Sequence, residues 1–279
     1  MWSALRVSGA PQAFPPGAFY SPVVDAELVR TDAERIWPAV VEDPPGIDLR
    51  GSCQLALLER IARHPLPDPA GWPEPVYDPG NDQFPPQDAA VLYGMLRLLA
   101  PARMVEVGCG WSTTVAARAI ADGGVGTELV CVEPYPRAFL HEVSGIHQLR
   151  RERVEQTPLE VFERLGRGDV LFIDSSHVVK TGSDVVHVFL QVLPRLRDGV
   201  VVHVHDVFIP LDYPRGWVER GFNWNEQYLL QAYLAGNARV RVLCANRWLS
   251  LRHANEVERC LGPRAAAGGS SFWFEVGRS

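Results

Sequence analysis

Two short segments of this sequence carry acidic and imidazole side chains directly after apolar runs. In VLFIDSSHV, residues 170–178, four apolar residues precede Asp174, and His177 follows three positions later. In GVVVHVHD, residues 199–206, His205 and Asp206 end a similar run. An apolar run of this length is typical of a buried strand. A carboxylate and an imidazole directly after such a strand indicate a functional site rather than a structural role in the core.

The elements that must position these residues alternate along the chain. The sequence predicts helices over 87–100, 112–122, 158–165, 183–196 and 225–236, and strands over 104–108, 128–133, 147–155, 169–174, 199–206, 238–245 and 271–277. Such alternation requires a mostly parallel sheet covered on both faces. The last two strands have no helix pattern between them. We therefore expect an α/β, Rossmann-like, doubly wound sheet of seven strands, mostly parallel, with an antiparallel C-terminal hairpin.

The first part of the chain has a different amino-acid composition. Residues 1–86 are rich in proline, and only about 28–41 and 53–63 have helical spacing. We expect residues 1–86 to form an N-terminal extension that packs on a main domain, 87–279.

Composition limits the partners and the compartment. The formal net charge is −6 and the pI is near 5.8, so neither nucleic acid nor an anionic membrane is an expected partner. The five cysteines have no CxxC spacing, no apolar run reaches the roughly 20 residues of a membrane helix, and the opening MWSALRVSGAPQAFPPG has no signal-peptide core. We expect a cytoplasmic protein with a small-molecule partner, and the oligomeric state stays open, a homo-oligomer included.

A glycine loop joins the first predicted strand to its helix. In MVEVGCGWSTT, residues 104–114, Gly108 and Gly110 permit a tight turn and a close ligand. The loop lacks the Gly-Lys-Ser/Thr ending of a P-loop. A dinucleotide fingerprint would place a third glycine where Thr113 stands, so a pyrophosphate is disfavoured.

Two acids suggest which ligand the loop takes. Glu106 can face an ammonium group but would repel a phosphate. Glu133 ends the second strand 23 residues after Gly110, near the distance expected for an acid that holds a ribose diol. An amino acid joined to a nucleoside satisfies both carboxylates, and S-adenosylmethionine is that ligand. Taken singly, the glycines could make only a tight turn and Glu133 could be a solvated strand end.

On these motifs the chain resembles the class I S-adenosylmethionine-dependent methyltransferases, from about Phe84 onward. The matches EVGCG and CVEP imply a donor site, which we predict to comprise Glu106, Gly108, Cys109, Gly110, Ser112, Thr113, Glu133 and Asp174. FIDSSHV followed by HVHD is similar to the branch that includes macrocin and mycinamicin sugar O-methyltransferases.

A divalent metal is expected between Asp174 and Asp206. If the methyltransferase strand order holds, the two strand ends are neighbours, and their carboxylates lie within about 5 Å. Two carboxylates at this distance repel each other unless a cation or a proton lies between them. Oxygen ligands suit Mg²⁺, whereas His205 as a third ligand favours Mn²⁺, Fe²⁺ or Zn²⁺. The resembled branch has an acidic pair where this chain has His205 and Asp206.

His177 is the predicted catalytic base. Methyl transfer to a hydroxyl requires a proton acceptor, and histidine titrates near neutrality. The resemblance implies the same role. The alternative is a histidine that caps backbone groups at a helix entry. We expect His203 and His187 to be structural.

The acceptor is expected to contact an aromatic segment, VFIPLDYPRGWVERGFNWNEQYLL, residues 207–230. Tyr213, Trp217, Trp224 and Asn225 are the predicted acceptor contacts, and a hydrophobic plug is the alternative for this segment. The predicted function is methyl transfer from S-adenosylmethionine to a hydroxyl of a small molecule. A metal-independent N- or C-methyltransferase, an NAD-binding oxidoreductase and a non-catalytic binding protein remain alternatives.

Overall fold

The computed structural model describes residues 13–73 and 75–277. Most of the opening segment on which the signal-peptide prediction depends, residues 1–12, lies outside the described residues. The chain divides into two compact units. The smaller unit contains Leu211–Trp224 and the described part of Met1–Val41, and the larger unit contains Glu42–Pro210 and the described part of Asn225–Ser279.

A seven-stranded sheet forms the centre of the larger unit. Its strands are β1 (Arg103–Val107), β2 (Glu128–Val132), β3 (Ile146–Arg150), β4 (Val170–Ile173), β5 (Val201–Val204), β6 (Val240–Ala245) and β7 (Phe272–Val276), in the order β3-β2-β1-β4-β5-β7-β6. Only β7 runs antiparallel to its neighbours, β5 and β6. The predicted Rossmann-like sheet, mostly parallel and with an antiparallel C-terminal pair, is confirmed.

The central strands are apolar because both faces of the sheet are covered. Every residue of β4 and β5 is buried, which is the pattern of a parallel sheet between helix layers. The registers align Val107 with Ile173 and Ile173 with Val204. The residues that follow β1, β4 and β5 therefore emerge side by side at one edge of the sheet.

The described residues also form eleven α-helices. They are α1 (Ala26–Thr31), α2 (Ala33–Ile36), α3 (Gly51–Ile61), α4 (Pro86–Leu99), α5 (Trp111–Gly123), α6 (Glu160–Glu163), α7 (Asp184–His187), α8 (Arg215–Glu219), α9 (Glu226–Leu234), α10 (Asn246–Arg252) and α11 (Ala254–Leu261). Helices α1, α2 and α8 belong to the smaller unit. Within residues 13–73 and 75–277, no helix is both long and apolar enough to cross a membrane.

Two details differ from the sequence predictions. The predicted helix 183–196 is α-helical only at its start; Val188–Val192 is a π-helix and Leu193–Arg195 a 3₁₀-helix. Pro194 has no N–H to donate, so the regular ladder cannot continue through it. The expectation of no helix between the last two strands is wrong. Helices α10 and α11 form that connection, and β6 and β7 pair without a tight turn.

Gln54 ties α3 to the edge of the sheet. Its fully buried side-chain amide donates to the Leu49 carbonyl at 2.5 Å and accepts from the Ala245 N–H of β6 at 2.7 Å. Both backbone groups would otherwise be buried without a partner, which is costly. One glutamine thus fixes residues 49–61 against the last residue of β6.

Candidate active site

The glycine loop follows β1 and passes directly over the end of β4. Gly108 has a φ of +79°, and a Cβ there would lie 1.6 Å from the main-chain oxygen of Asp174. Gly110 differs, because its φ of −170° is extended backbone and a Cβ there would meet no atom within 4 Å. Gly108 is therefore required by packing between strands, whereas Gly110 leaves its main chain open to an approaching ligand.

Glu106 lies beneath this loop. Its side chain is fully buried, and one carboxylate oxygen accepts a 2.6 Å hydrogen bond from the Ser112 hydroxyl. The other oxygen accepts from the Cys131 thiol at 3.7 Å. Burial raises the pKa of Glu106 to about 7. Thr113 completes the turn, since its hydroxyl accepts from the Gly110 N–H at 3.1 Å.

Glu133 reaches the loop from the end of β2. Its carboxylate accepts from the Cys109 N–H at 3.2 Å and from the Tyr135 N–H at 2.7 Å. Each oxygen has received one backbone donor, so capacity to accept further hydrogen bonds remains. The Cys109 thiol points back into the protein, toward the Glu106 carbonyl at 3.6 Å. The structure thus brings the predicted donor residues of β1, α5 and β2 together.

Asp174 and Asp206 flank a buried imidazole at the ends of β4 and β5. The His177 Nε2 atom lies 3.2 Å from Asp174 Oδ1 and 3.6 Å from Asp206 Oδ2. These three residues offer ligand atoms that all lie within 4.8 Å of one another. The set with the spacing of a metal centre therefore includes His177, which was predicted as the base and not as a ligand.

Strained backbone marks the same place. His177 has a φ of +60° and Asp206 a φ of +54°. The left-handed region is unfavourable for residues other than glycine, and such residues cluster at functional sites. The His177 carbonyl accepts from the Asn225 N–H at 2.9 Å, and the Asn225 side chain accepts from the Val179 N–H at 2.5 Å. Asn225 thereby holds the strained loop, whereas we had predicted an acceptor contact.

Glu226 holds the other side of His177. Its Oε2 lies 2.9 Å from His177 Nδ1, and both side chains are buried. Burial disfavours the imidazolium, but Asp174, Glu226 and Asp206 together outweigh it and raise the pKa of His177 to about 10. Nδ1 is committed to Glu226, so Nε2 is the nitrogen that faces Asp174 and Asp206.

His205 is held from behind by Asp88, a residue of the first turn of α4. The His205 Nε2 atom lies 3.1 Å from Asp88 Oδ2, and its Nδ1 lies 3.6 Å from Asp174 Oδ1 and 3.5 Å from Asp206 Oδ1. His205 Nδ1 is buried and has no hydrogen-bond partner within the described part of the chain.

The charges of this cluster shift one another's pKa values. Burial disfavours ionised carboxylates, yet His205 and His177 hold the pKa of Asp174 well below its usual range. Burial acts against the His205 imidazolium, but the carboxylates of Asp206 and Asp174 raise its pKa well above the ordinary value. Without a cation the carboxylates therefore draw protons onto both imidazoles.

The remaining predicted site residues lie elsewhere. Tyr213, Trp217 and Trp224 belong to the smaller unit, where the Trp217 and Trp224 rings pack edge to face at 5.1 Å. The Tyr213 carbonyl accepts a 2.9 Å hydrogen bond from Trp37 Nε1 in the same unit. Their contact with an acceptor remains a prediction.

His203 is a packed core histidine, as expected. It is fully buried, bonded to Ser271 Oγ at 2.7 Å and stacked on Phe172 at 4.0 Å. Burial lowers its pKa well below the ordinary value.

A family model described as a methyltransferase domain matches residues 105–207, which include the glycine loop, Glu133, Asp174, His177 and Asp206. Residues 105–207 are therefore a methyltransferase domain, in agreement with the resemblance to the class I S-adenosylmethionine-dependent methyltransferases. It is also 30% identical over 164 residues to a protein of Archaeoglobus fulgidus described as uncharacterised; the match spans 54% of this chain and 73% of that protein.

Three solved methyltransferase structures are similar to this methyltransferase at low identity. The Podospora anserina methyltransferase PaMTH1, bound to SAH, is 17% identical, with 84% of this chain and 94% of that chain covered and a TM-score of 0.41. CmcI with Mg and SAM is 17% identical, with coverage of 90% and 96% and a TM-score of 0.40. The plantazolicin methyltransferase BpumL, in complex with SAH, is 10% identical, with coverage of 83% and 99% and a TM-score of 0.39.

Proposed function

We propose that this methyltransferase moves a methyl group from S-adenosylmethionine to a hydroxyl of a small molecule, with a divalent cation orienting the acceptor and His177 as the base. The observation that carries the proposal is the arrangement of Asp174, Asp206 and His177. Two carboxylates from neighbouring strands face one ring nitrogen of a buried histidine, whose other ring nitrogen is held by Glu226.

The donor is assigned to the glycine loop. The main chain at Gly110 is open to a ligand, and the Glu133 carboxylate beside it retains the capacity to accept a ribose hydroxyl. The thiol contact to one Glu106 oxygen is weak, which leaves that oxygen able to attract an ammonium group. Cys109, Ser112, Thr113 and Asp174 complete the proposed donor site.

The residues that follow the ends of β4 and β5 fit a divalent cation. Asp174 and Asp206 supply carboxylate oxygens, and His205 supplies a buried Nδ1 that has no hydrogen-bond partner among the described residues. A cation there would polarise the acceptor hydroxyl and lower its pKa. Compensating the charge of Asp174 and Asp206 would also lower the pKa of His177, because these two carboxylates act with Glu226 to raise it.

The chemistry requires one proton transfer. The acceptor oxygen attacks the methyl carbon, the C–O bond forms, the C–S bond breaks and S-adenosylhomocysteine leaves. The hydroxyl proton passes to Nε2 of neutral His177, and Nδ1–H donates to Glu226, which stabilises the imidazolium. The buried position of His177 keeps competing water away from Nε2.

The test is release of S-adenosylhomocysteine with a panel of hydroxyl acceptors. Sugars come first because of the motif resemblance, followed by phenols, polyketides and modified amino acids. We expect His177→Ala and chelation each to lower the rate at least about 100-fold, and the variant of an exposed histidine on β3, His147→Ala, to keep it. Product NMR that places the methyl group on nitrogen or carbon, with activity retained in chelator, would establish the metal-independent alternative instead.

A further inference from the structure

His205 lies at the end of a buried strand, and its Nδ1, like that of His203, has no hydrogen-bond partner among the residues that the structure describes. The side chain is 1% exposed, and Nδ1 faces the Oδ1 atoms of Asp174 and Asp206 at 3.6 and 3.5 Å. A buried nitrogen without a hydrogen bond costs free energy unless something absent from the chain completes it. The two carboxylates beside it make a cation the matching partner.

Asp88 decides which ring nitrogen is available. Its carboxylate is fully buried and accepts from Asn246 Nδ2 at 2.6 Å, from the Ser270 N–H at 2.9 Å and from the Ser271 N–H at 3.0 Å. An ionised carboxylate can only accept. The His205 Nε2 atom, 3.1 Å away, must therefore donate, so the neutral imidazole presents the lone pair of Nδ1 to Asp174 and Asp206.

We infer that Asp88 positions His205 as a nitrogen ligand, and that the site between Asp174 and Asp206 consequently takes a first-row transition ion, such as Mn²⁺, Fe²⁺ or Co²⁺, in preference to Mg²⁺. The inference depends on the cation site of the proposed function and adds its ligand, its positioning residue and its selectivity. Histidine nitrogen can ligate first-row transition ions, whereas Mg²⁺ prefers an oxygen set with several waters. A carboxylate behind a metal-binding histidine fixes its tautomer and orientation.

His203 provides an internal control. It lies two residues earlier on the same strand and is equally buried, but its Nε2 binds the neutral Ser271 hydroxyl and its ring stacks on Phe172. A change at His203 perturbs the core of the sheet without changing the ligand set.

The experiment measures metal affinity on the metal-free full chain, without substrate. Calorimetry with Mn²⁺ and Mg²⁺ gives the ratio of dissociation constants, and the visible spectrum of Co²⁺ with pulsed EPR of bound Mn²⁺ reports nitrogen ligation. We expect Mn²⁺ to bind at least about tenfold tighter than Mg²⁺, with imidazole coupling in the EPR signal. Equal dissociation constants for the two ions, tighter binding of Mg²⁺, or bound Mn²⁺ without nitrogen coupling would overturn the inference. These measurements use the wild-type protein and do not depend on the folding of a variant.

Three variants sharpen the test. His205→Asp replaces the proposed nitrogen ligand by oxygen and should bring the ratio to within about threefold of unity. Asp88→Asn presents an amide N–H to Nε2, which forces the proton onto Nδ1, and should weaken Mn²⁺ binding about 10- to 100-fold while S-adenosylhomocysteine binding stays. His203→Gln should keep the wild-type ratio. Wild-type selectivity in His205→Asp would refute the role of His205.

The outcomes separate the two proposals. Transition-ion selectivity with nitrogen coupling, in a protein that methylates no hydroxyl, supports this inference and removes the proposed acceptor chemistry. Metal-dependent hydroxyl methylation with equal Mg²⁺ and Mn²⁺ affinity removes this inference and keeps the proposed function.

Discussion

Replacing Gly108 by alanine should destabilise the protein by forcing the ends of β1 and β4 apart. The new Cβ would lie 1.6 Å from the Asp174 carbonyl oxygen, which is backbone and cannot rotate away. The residue also has a φ of +79°, which is unfavourable for alanine. Relief requires a shift of the glycine loop or of the chain that carries Asp174.

The magnitude has two parts. Left-handed backbone costs alanine about 1–2 kcal/mol, and overpacking of a well-filled site costs about 1–3 kcal/mol. Together they lower the free energy of unfolding by about 2–5 kcal/mol. For a unit of this size that corresponds to a fall of roughly 5–15 °C in Tm.

Gly110→Ala is the matched control. Its Cβ meets nothing within 4 Å and its backbone is extended, so the melting temperature should stay within about 2 °C of the wild type. If a ligand packs on this main chain, S-adenosylhomocysteine binding should nevertheless weaken about tenfold or more. Differential scanning calorimetry and titration calorimetry give both quantities. A Gly108→Ala protein as stable as the wild type would refute the steric argument.

Three further outcomes follow from buried polar groups. Glu226→Gln should lower kcat about 10- to 100-fold by weakening the hydrogen bond to His177. Because loss of the carboxylate lowers the pKa of His177, the acidic limb of the pH–rate profile should also move to lower pH. An unchanged profile would contradict this prediction. Burial raises the pKa of Glu106 from 4.5 to about 7, so the free energy of unfolding should fall as pH rises between these values, where the unfolded chain has already released the proton. Urea unfolding at pH 5 and pH 8 should show this fall for the wild type and not for Glu106→Gln. An equal change with pH in both proteins would count against the prediction. Gln54→Leu leaves the Leu49 carbonyl and the Ala245 N–H without the partner that Gln54 supplies. The free energy of unfolding, measured in urea, should fall by about 2–4 kcal/mol. A fall below about 1 kcal/mol would show that these two hydrogen bonds contribute little to stability.

Local sequence patterns predicted the sheet and its strand ends. The runs that became β1, β4 and β5 are apolar and bounded, and the parallel order places Asp174 beside Asp206 without reference to any distant contact. The helices α10 and α11 were missed although they are continuous in sequence. Both are short, and no glycine or proline separates α10 from α11, so local patterns marked no boundary between them.

The residues that support the cluster were not predictable in the same way. Asp88 lies at the start of the predicted helix 87–100, which is an ordinary place for an acid, and its partner His205 lies 117 positions away. Glu226 lies 49 positions from His177, within the segment 207–230 that was predicted to contact the acceptor. The cue available in the sequence is one acid within the largely apolar stretch DAAVLYGML, where burial without a partner would be prohibitive.

The antiparallel strand β7 affects when the cluster can exist during synthesis. It inserts between β5 and β6, and the two serines before it donate the main-chain N–H groups that hold Asp88, from 182 and 183 positions downstream. A nascent chain that ends after β6 therefore lacks the strand that joins β5 to β6, and Asp88 lacks two of its backbone donors. The cation site of the proposed function would therefore be completed only after β7 has emerged from the ribosome.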